Sequence, residues 1–285
     1  MTDTPAAITL ADGRRLAYLD AGDPDGRPVL CCHGGLSSRL DVLPAWPTAE
    51  ALGVRLISPD RPGIGGSEFQ PARVLLDWPG DVGQLVDHLG IDQFSVLGWS
   101  AGGMYAQACA YGLQSRVRHL GLVASVIPPD WPGMMTEING MDRSFIRLST
   151  AGAPLEKSIF SFMRTIARHT PDIFAKRSGI PPTVIAEMRA SVAEGLLNTG
   201  GAVQDYRLLG ESWGFEPSSI SVPTDIWQGT ADHMVPTGWG QRLADAIAGS
   251  RLTVVQGGTH FLMYEAWEDI LLAMTQGAGD GTGDH

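Results

Sequence analysis

The stretch FSVLGWSAGG, residues 94–103, changes character at its centre. Phe94 to Trp99 form a short, largely apolar run, and AGGMYAQACA from Ala101 onward reads as a helix. A strand that enters a helix through one residue must turn sharply at Ser100. Side chains two positions away on either side would collide, which accounts for Gly98 and Gly102. Such a turn holds the Ser100 hydroxyl above the carboxyl edge of a sheet, where ligands of open α/β folds bind. It also sets Ser100 at a helix N-terminus, whose free N–H groups and dipole favour developing negative charge.

Outward from this turn, apolar runs alternate with helical stretches. PVLCC (28–32) leads into His33-Gly34-Gly35, VRLISPD (54–60) into RPGIGGS, and VRHLGLVAS (117–125) follows the first helix after Ser100. TDIWQGT (224–230) and RLTVVQGG (251–258) come later. Apolar strands separated by helices predict an α/β fold built on a mostly parallel sheet. At the start, AITLADGRRLAYLDAG predicts a hairpin around Asp12-Gly13. The rhythm stops over 128–217, a helix-forming stretch rich in aromatic and Met residues. It is expected to be a helical cap inserted into a core formed by 1–127 and 218–278. The glycine-rich end, 279–285, is expected to be a disordered tail.

A serine hydroxyl is a weak nucleophile until a base takes its proton. His260, in VVQGGTHF, follows the last apolar run and so falls at the same edge as Ser100. His88, His119, His169, His233 and His285 are placed elsewhere by their surroundings. His33 precedes two glycines in a strand–loop turn and is expected to hold that loop. An imidazole acting as base needs a carboxylate to set its tautomer and stabilise its charged form. Asp232, in WQGTADHMVP, lies just beyond the preceding strand, with Asp130 as the alternative. Asp225 begins that strand and falls at the opposite edge. An oxyanion formed during acyl transfer needs backbone donors. Ala101 N–H is one. The loop after the first inner strand supplies the other, most simply Gly35, with Leu36 N–H also open. Leu36, Trp99, Trp131, Met134, Trp213 and Phe261 are candidates for the substrate pocket.

The chain has 285 residues, with 20 Lys and Arg against 31 Asp and Glu, a formal net charge of −11. That balance argues against nucleic acid, which needs clustered cations. No apolar run is long enough to span a membrane, and the N-terminus lacks a secretory pattern. Cys31, Cys32 and Cys109 lack metal-ligand spacing and are expected to be core thiols in a reducing, cytoplasmic setting. The partner expected is a small-molecule substrate, with no metal or organic cofactor; the oligomeric state is left open.

HGG at 33–35, DRPGIGGS at 60–67, GWSAGG at 98–103, GTADHMVP at 229–236 and GGTHF at 257–261 together resemble the α/β-hydrolase superfamily. The order Ser, Asp, His is that family's order. The resemblance spans about residues 8 to 275 and is weakest in the cap. It implies the α/β-hydrolase fold: eight strands, mostly parallel, with the cap after the sixth. Within the superfamily the chain is similar to the cofactor-independent, serine-nucleophile esterases and lactonases. Haloalkane dehalogenases and epoxide hydrolases have aspartate where this chain has Ser100. Proline iminopeptidases share His-Gly-Gly but continue with Pro-Gly where this chain has Leu36-Ser37. An amine-binding role for the cap acids Glu137, Glu187, Glu194 and Glu211 is the peptidase alternative. Carbon–carbon bond hydrolysis, perhydrolysis and a ligand-receptor role use the same scaffold. DRPGIGGS itself reads as a glycine-rich turn packed beside the site, with Asp60 and Arg61 expected to be structural.

Overall fold

The computed structural model describes residues 5–152, 155–169 and 182–276. The tail at 279–285, His285 included, lies outside the described residues, as does the side chain of His169.

Eight strands form one sheet: β1 (Ala6–Thr9), β2 (Arg15–Gly22), β3 (Arg27–Cys32), β4 (Val54–Pro59), β5 (Phe94–Trp99), β6 (Val117–Val123), β7 (Thr224–Gly229) and β8 (Arg251–Val255). Their spatial order is β1-β2-β4-β3-β5-β6-β7-β8. The hairpin read around Asp12-Gly13 pairs β1 with β2 antiparallel, and β2 meets β4 antiparallel. Every other pairing is parallel.

Strand alternation divides the core between two faces. Leu30, Cys32, Val96, Leu120 and Leu122 face the helices Trp78–His88 and Gly102–Gly112. Val29, Cys31, Leu97, Trp99 and Val123 face Trp46–Ala51 and Trp267–Gln276. β5 is buried at all six positions, as a central strand covered on both faces requires. All three cysteines are buried and free.

Between β6 and β7 the chain forms helices Met134–Glu137, Gly140–Thr150, Leu155–His169, Pro182–Gly195 and Thr199–Leu209. Asn139 caps the second of these by accepting from Met141 and Asp142 N–H, and Asn198 caps the last by accepting from Gly200 N–H. Phe145, Phe160 and Tyr206 pack as an aromatic trio within this segment, with ring centroids 4.9 to 5.8 Å apart.

Buried charge joins this segment to the loops of the sheet. Arg61 pairs with Asp205 at 2.8 Å, Arg73 pairs with the same carboxylate, and Tyr105 donates to it at 2.8 Å. Arg39 bridges Asp60 and Glu194, each at 2.5 Å.

Candidate active site

Ser100 stands at φ +56°, a left-handed conformation that an L residue adopts only against strain. Its N–H donates to Val123 O at 3.0 Å, and its own carbonyl accepts from Gly103 N–H at 3.0 Å. The flanking glycines have a steric cause. A Cβ on Gly98 would lie 2.6 Å from Gly102 O and 2.7 Å from Ala106 Cβ. One on Gly102 would run into the carbonyls of Cys32 and His33, at the end of the adjacent strand β3.

His260 and Asp232 lie on the loops after β8 and β7. Those loops are laced together: Thr230 N–H donates to Val255 O at 3.0 Å, Ala231 N–H to Gly258 O at 2.9 Å, and Gly257 N–H to Thr230 Oγ1 at 2.8 Å. His260 Nε2 is 3.0 Å from Ser100 Oγ, and His260 Nδ1 is 2.9 Å from Asp232 Oδ2. Asp232 Oδ1 accepts from the N–H groups of Met234 (2.8 Å) and Val235 (2.9 Å). Those two bonds leave Oδ2 aimed at the imidazole. With Nδ1 donating to the carboxylate, Nε2 is left as an acceptor for the serine proton. Trp99 fixes His260 from below, its indole N–H donating to the His260 carbonyl at 2.9 Å.

The HGG loop faces this constellation. A Cβ built on Gly35 would lie 3.6 Å from Ala101 Cβ, so the two backbones are neighbours. Ala101 precedes the first turn of Gly102–Gly112, where N–H groups have no intrahelical acceptor. Leu36 adopts φ +60°. His33 is buried, with Nδ1 3.1 Å from Gly34 O and Nε2 accepting from Arg61 N–H at 3.3 Å. Burial, with the Arg61 charge second, holds its pKa well below the usual imidazole range, so it remains neutral. The Arg61 guanidinium donates to His33 O and, at 2.8 Å, to Gly34 O. His119 pairs with Asp225 at 2.9 Å, and Arg251 joins that carboxylate at β7's opposite end.

A cavity of about 450 Å³ opens over Ser100 and His260. Gly35, Leu36, Trp99, Ala101 and Phe261 line it. Three other pocket expectations do not hold. Met134 is fully buried in the core and Trp213 packs against Phe215, ring centroids 5.9 Å apart. Trp131 donates to Glu216 at 3.4 Å with Arg242 over its ring. None of the three lines the cavity. The cap wall comes instead from residues such as Met141, Met163, Ile185, Met188, Val192, Tyr206 and Leu209. The sequence offered no signal separating these from ordinary helix-packing residues. Asp41 and Tyr264, also in the wall, were missed for another reason: they lie outside the motifs.

Among the described residues no group of three His, Cys, Asp or Glu side chains could hold a metal ion. No described helix is long and apolar enough to cross a membrane.

The architecture is that of a hydrolase with a sharp strand-to-helix turn at Ser100. The chain belongs to the alpha/beta hydrolase family, whose sequence profile matches residues 29–273. Epoxide hydrolase A of Mycobacterium tuberculosis is similar at 25% identity over 306 aligned positions, covering 93% of this chain and 94% of that protein. Pimeloyl-[acyl-carrier protein] methyl ester esterase of Legionella pneumophila is similar at 32% identity over 118 positions, 40% of this chain and 46% of that enzyme. The solved esterase of Exiguobacterium antarcticum superposes with a TM-score of 0.73 at 20% identity, covering 96% of this chain and all (100%) of that one. At that identity the likeness is one of fold.

Proposed function

We propose that this hydrolase cleaves small carboxylic esters or lactones through an acyl-enzyme on Ser100. The observation that carries this reading is the continuous hydrogen-bonded line from Ser100 Oγ through His260 to Asp232. His260 takes the Ser100 proton as Oγ attacks the substrate carbonyl, and Asp232 stabilises the imidazolium. Gly35 and Ala101 N–H groups receive the oxyanion, each donor contributing roughly 3–4 kcal/mol to the barrier reduction. His260 returns its proton to the leaving alcohol. It then activates the water that releases the acid and restores Ser100.

Serine at position 100 supports this reading over epoxide opening. A carboxylate that opens an epoxide forms an ester, which water can cleave. A serine would form an ether, which neither His260 nor water can cleave. Three of the four cap acids are already engaged, which supports an ester over a peptide amine: Glu137 by Trp239 and Arg242, Glu194 by Arg39, and Glu211 by Arg207. Glu187 is the acid left to the peptidase alternative. The cavity lining is mostly apolar, which suits an apolar acyl or alcohol group.

The test is hydrolysis of p-nitrophenyl esters from acetate to decanoate by wild type and Ser100→Ala side by side. Turnover by wild type that falls by several orders of magnitude in the variant supports the reading. Comparable turnover by both proteins removes Ser100 from the mechanism.

A further inference from the structure

Asp41, Asp142 and Arg189 interrupt the apolar lining of the cavity, and Asp142 is taken up by Tyr206 and Asn139. Asp41, in the turn after the HGG loop, is 2% exposed and reaches the cavity. Its Oδ2 accepts from Ser37 Oγ at 2.6 Å and Gly34 N–H at 3.0 Å, and its Oδ1 accepts from Ser191 Oγ at 2.6 Å. All three donors are neutral. Burial raises the Asp41 pKa above the usual carboxylate range, against those hydrogen bonds. A carboxylate has about four acceptor positions, so one remains.

Tyr264 forms the adjoining wall. Its ring packs edge-on against Trp99, centroids 5.4 Å apart, which ties it to the floor beneath His260. Its hydroxyl is buried and finds no hydrogen-bond partner of good geometry among the described residues. Burial raises its pKa well above the ordinary tyrosine value, and the Asp41 carboxylate, near enough to interact with the hydroxyl but without good hydrogen-bond geometry, adds to the effect. A buried hydroxyl left unpaired costs about 1–3 kcal/mol, a cost that a ligand group placed there would relieve.

We infer that Asp41 and Tyr264 form a polar subsite for a substrate group that both gives and takes a hydrogen bond, a hydroxyl or a carboxamide. Such a group donates to the open position on Asp41 and accepts from the Tyr264 hydroxyl. An unsubstituted alkyl chain offers neither group a partner, and a carboxylate placed against Asp41 meets a like charge. The preferred substrate is therefore amphiphilic: an apolar body against the cap wall and one neutral polar group set apart from the scissile carbonyl. This inference rests on the proposed use of the cavity as the substrate site.

Its test is a binding measurement, so that it stands apart from turnover. Straight-chain methyl esters, with a hydroxyl moved one carbon at a time along the acyl chain, are titrated calorimetrically into Ser100→Ala and Ser100→Ala/Tyr264→Phe. The unsubstituted and ω-carboxylate chains serve as comparisons. One hydroxyl position should bind about tenfold or more tighter than the unsubstituted chain, and Tyr264→Phe should clearly reduce that preference. Tyr264→Phe removes an unpaired hydroxyl, so its Tm should not fall. Binding with no hydroxyl preference at any position, or a preference unchanged by Tyr264→Phe, overturns the subsite. Binding with the predicted preference but no ester turnover by the Ser100-bearing protein overturns the esterase reading instead. Failure of every chain to bind removes the shared premise that this cavity is the substrate site.

Discussion

Asp205, on a helix of the inserted segment, and Arg61, in the turn after β4, form an ion pair at 2.8 Å with both side chains buried. The same Arg61 guanidinium donates to the carbonyls of His33 and Gly34, in the loop that carries Gly35. The segment over the cavity and the loop beside Ser100 are therefore held by one charged cluster.

Breaking that cluster on one side should be costly, because Arg61 and Arg73 would be left buried with reduced compensation. Asp205→Asn is expected to lose about 3–5 kcal/mol of stability, read as a lower denaturation midpoint in urea. The pH dependence follows from the direction of the shift. Burial alone would raise the Asp205 pKa, but Arg61 and Arg73 hold it below the usual carboxylate value. Its contribution is therefore present above the unfolded pKa of about 3.9 and is lost as pH falls through the folded value. The stability gap between wild type and Asp205→Asn should shrink below about pH 4. A gap that widens on acidification would contradict the assignment.

Asp232→Asn should fold and keep its backbone contacts, since the Met234 and Val235 N–H groups still meet an oxygen. The amide can donate to His260 Nδ1 and so favour the wrong tautomer. Ester turnover should drop about 10⁴-fold in kcat with little change in Tm. A drop of less than tenfold would mean that Asp232 does not orient the base.

Neighbouring glycines in the HGG loop should behave differently. A Cβ on Gly34 would lie 2.7 Å from the Trp99 ring, whose indole holds the His260 carbonyl. Gly35 has ordinary contact distances of 3.6 and 3.7 Å to its neighbours. Gly34→Ala is expected to cost about 1–3 kcal/mol as overpacking and to lower kcat, whereas Gly35→Ala should keep its Tm. Thermal melts of the pair check the contrast.

Val192 lines the cavity from the helix Pro182–Gly195. Val192→Trp should fill part of it and shift the optimum of a p-nitrophenyl ester series toward shorter acyl chains. An unchanged chain-length profile would place the acyl group elsewhere.

Burial raises the Cys31 thiol pKa well above its usual range, and Cys109 shifts the same way. With all three thiols buried, none should react with a thiol-exchange reagent until the protein unfolds. Rapid labelling of the native protein would show that one of them is reachable.

The sequence alone determined the sheet and the turn at Ser100, because those depend on local chemistry. Apolar runs mark buried strands, and glycine at 98 and 102 reflects clashes with residues close in the chain or on the adjacent strand. The placement of His260 and Asp232 beside Ser100 was legible because each lies in the loop after an apolar run, and topology carries such loops to one edge of a parallel sheet. The cavity wall was decided only in the tertiary structure. Met134 and Met141 have the same side chain and lie seven positions apart, yet one fills the core and the other lines the cavity. Trp131 and Trp213, both expected in the pocket, pack elsewhere. Periodicity reports that a helix has an apolar face, but not whether that face meets another side chain or a void. Asp41 and Tyr264 come together across more than 200 residues, where no local rule operates. Their meeting follows from how the helices after β3 and β8 pack on the same face of the sheet.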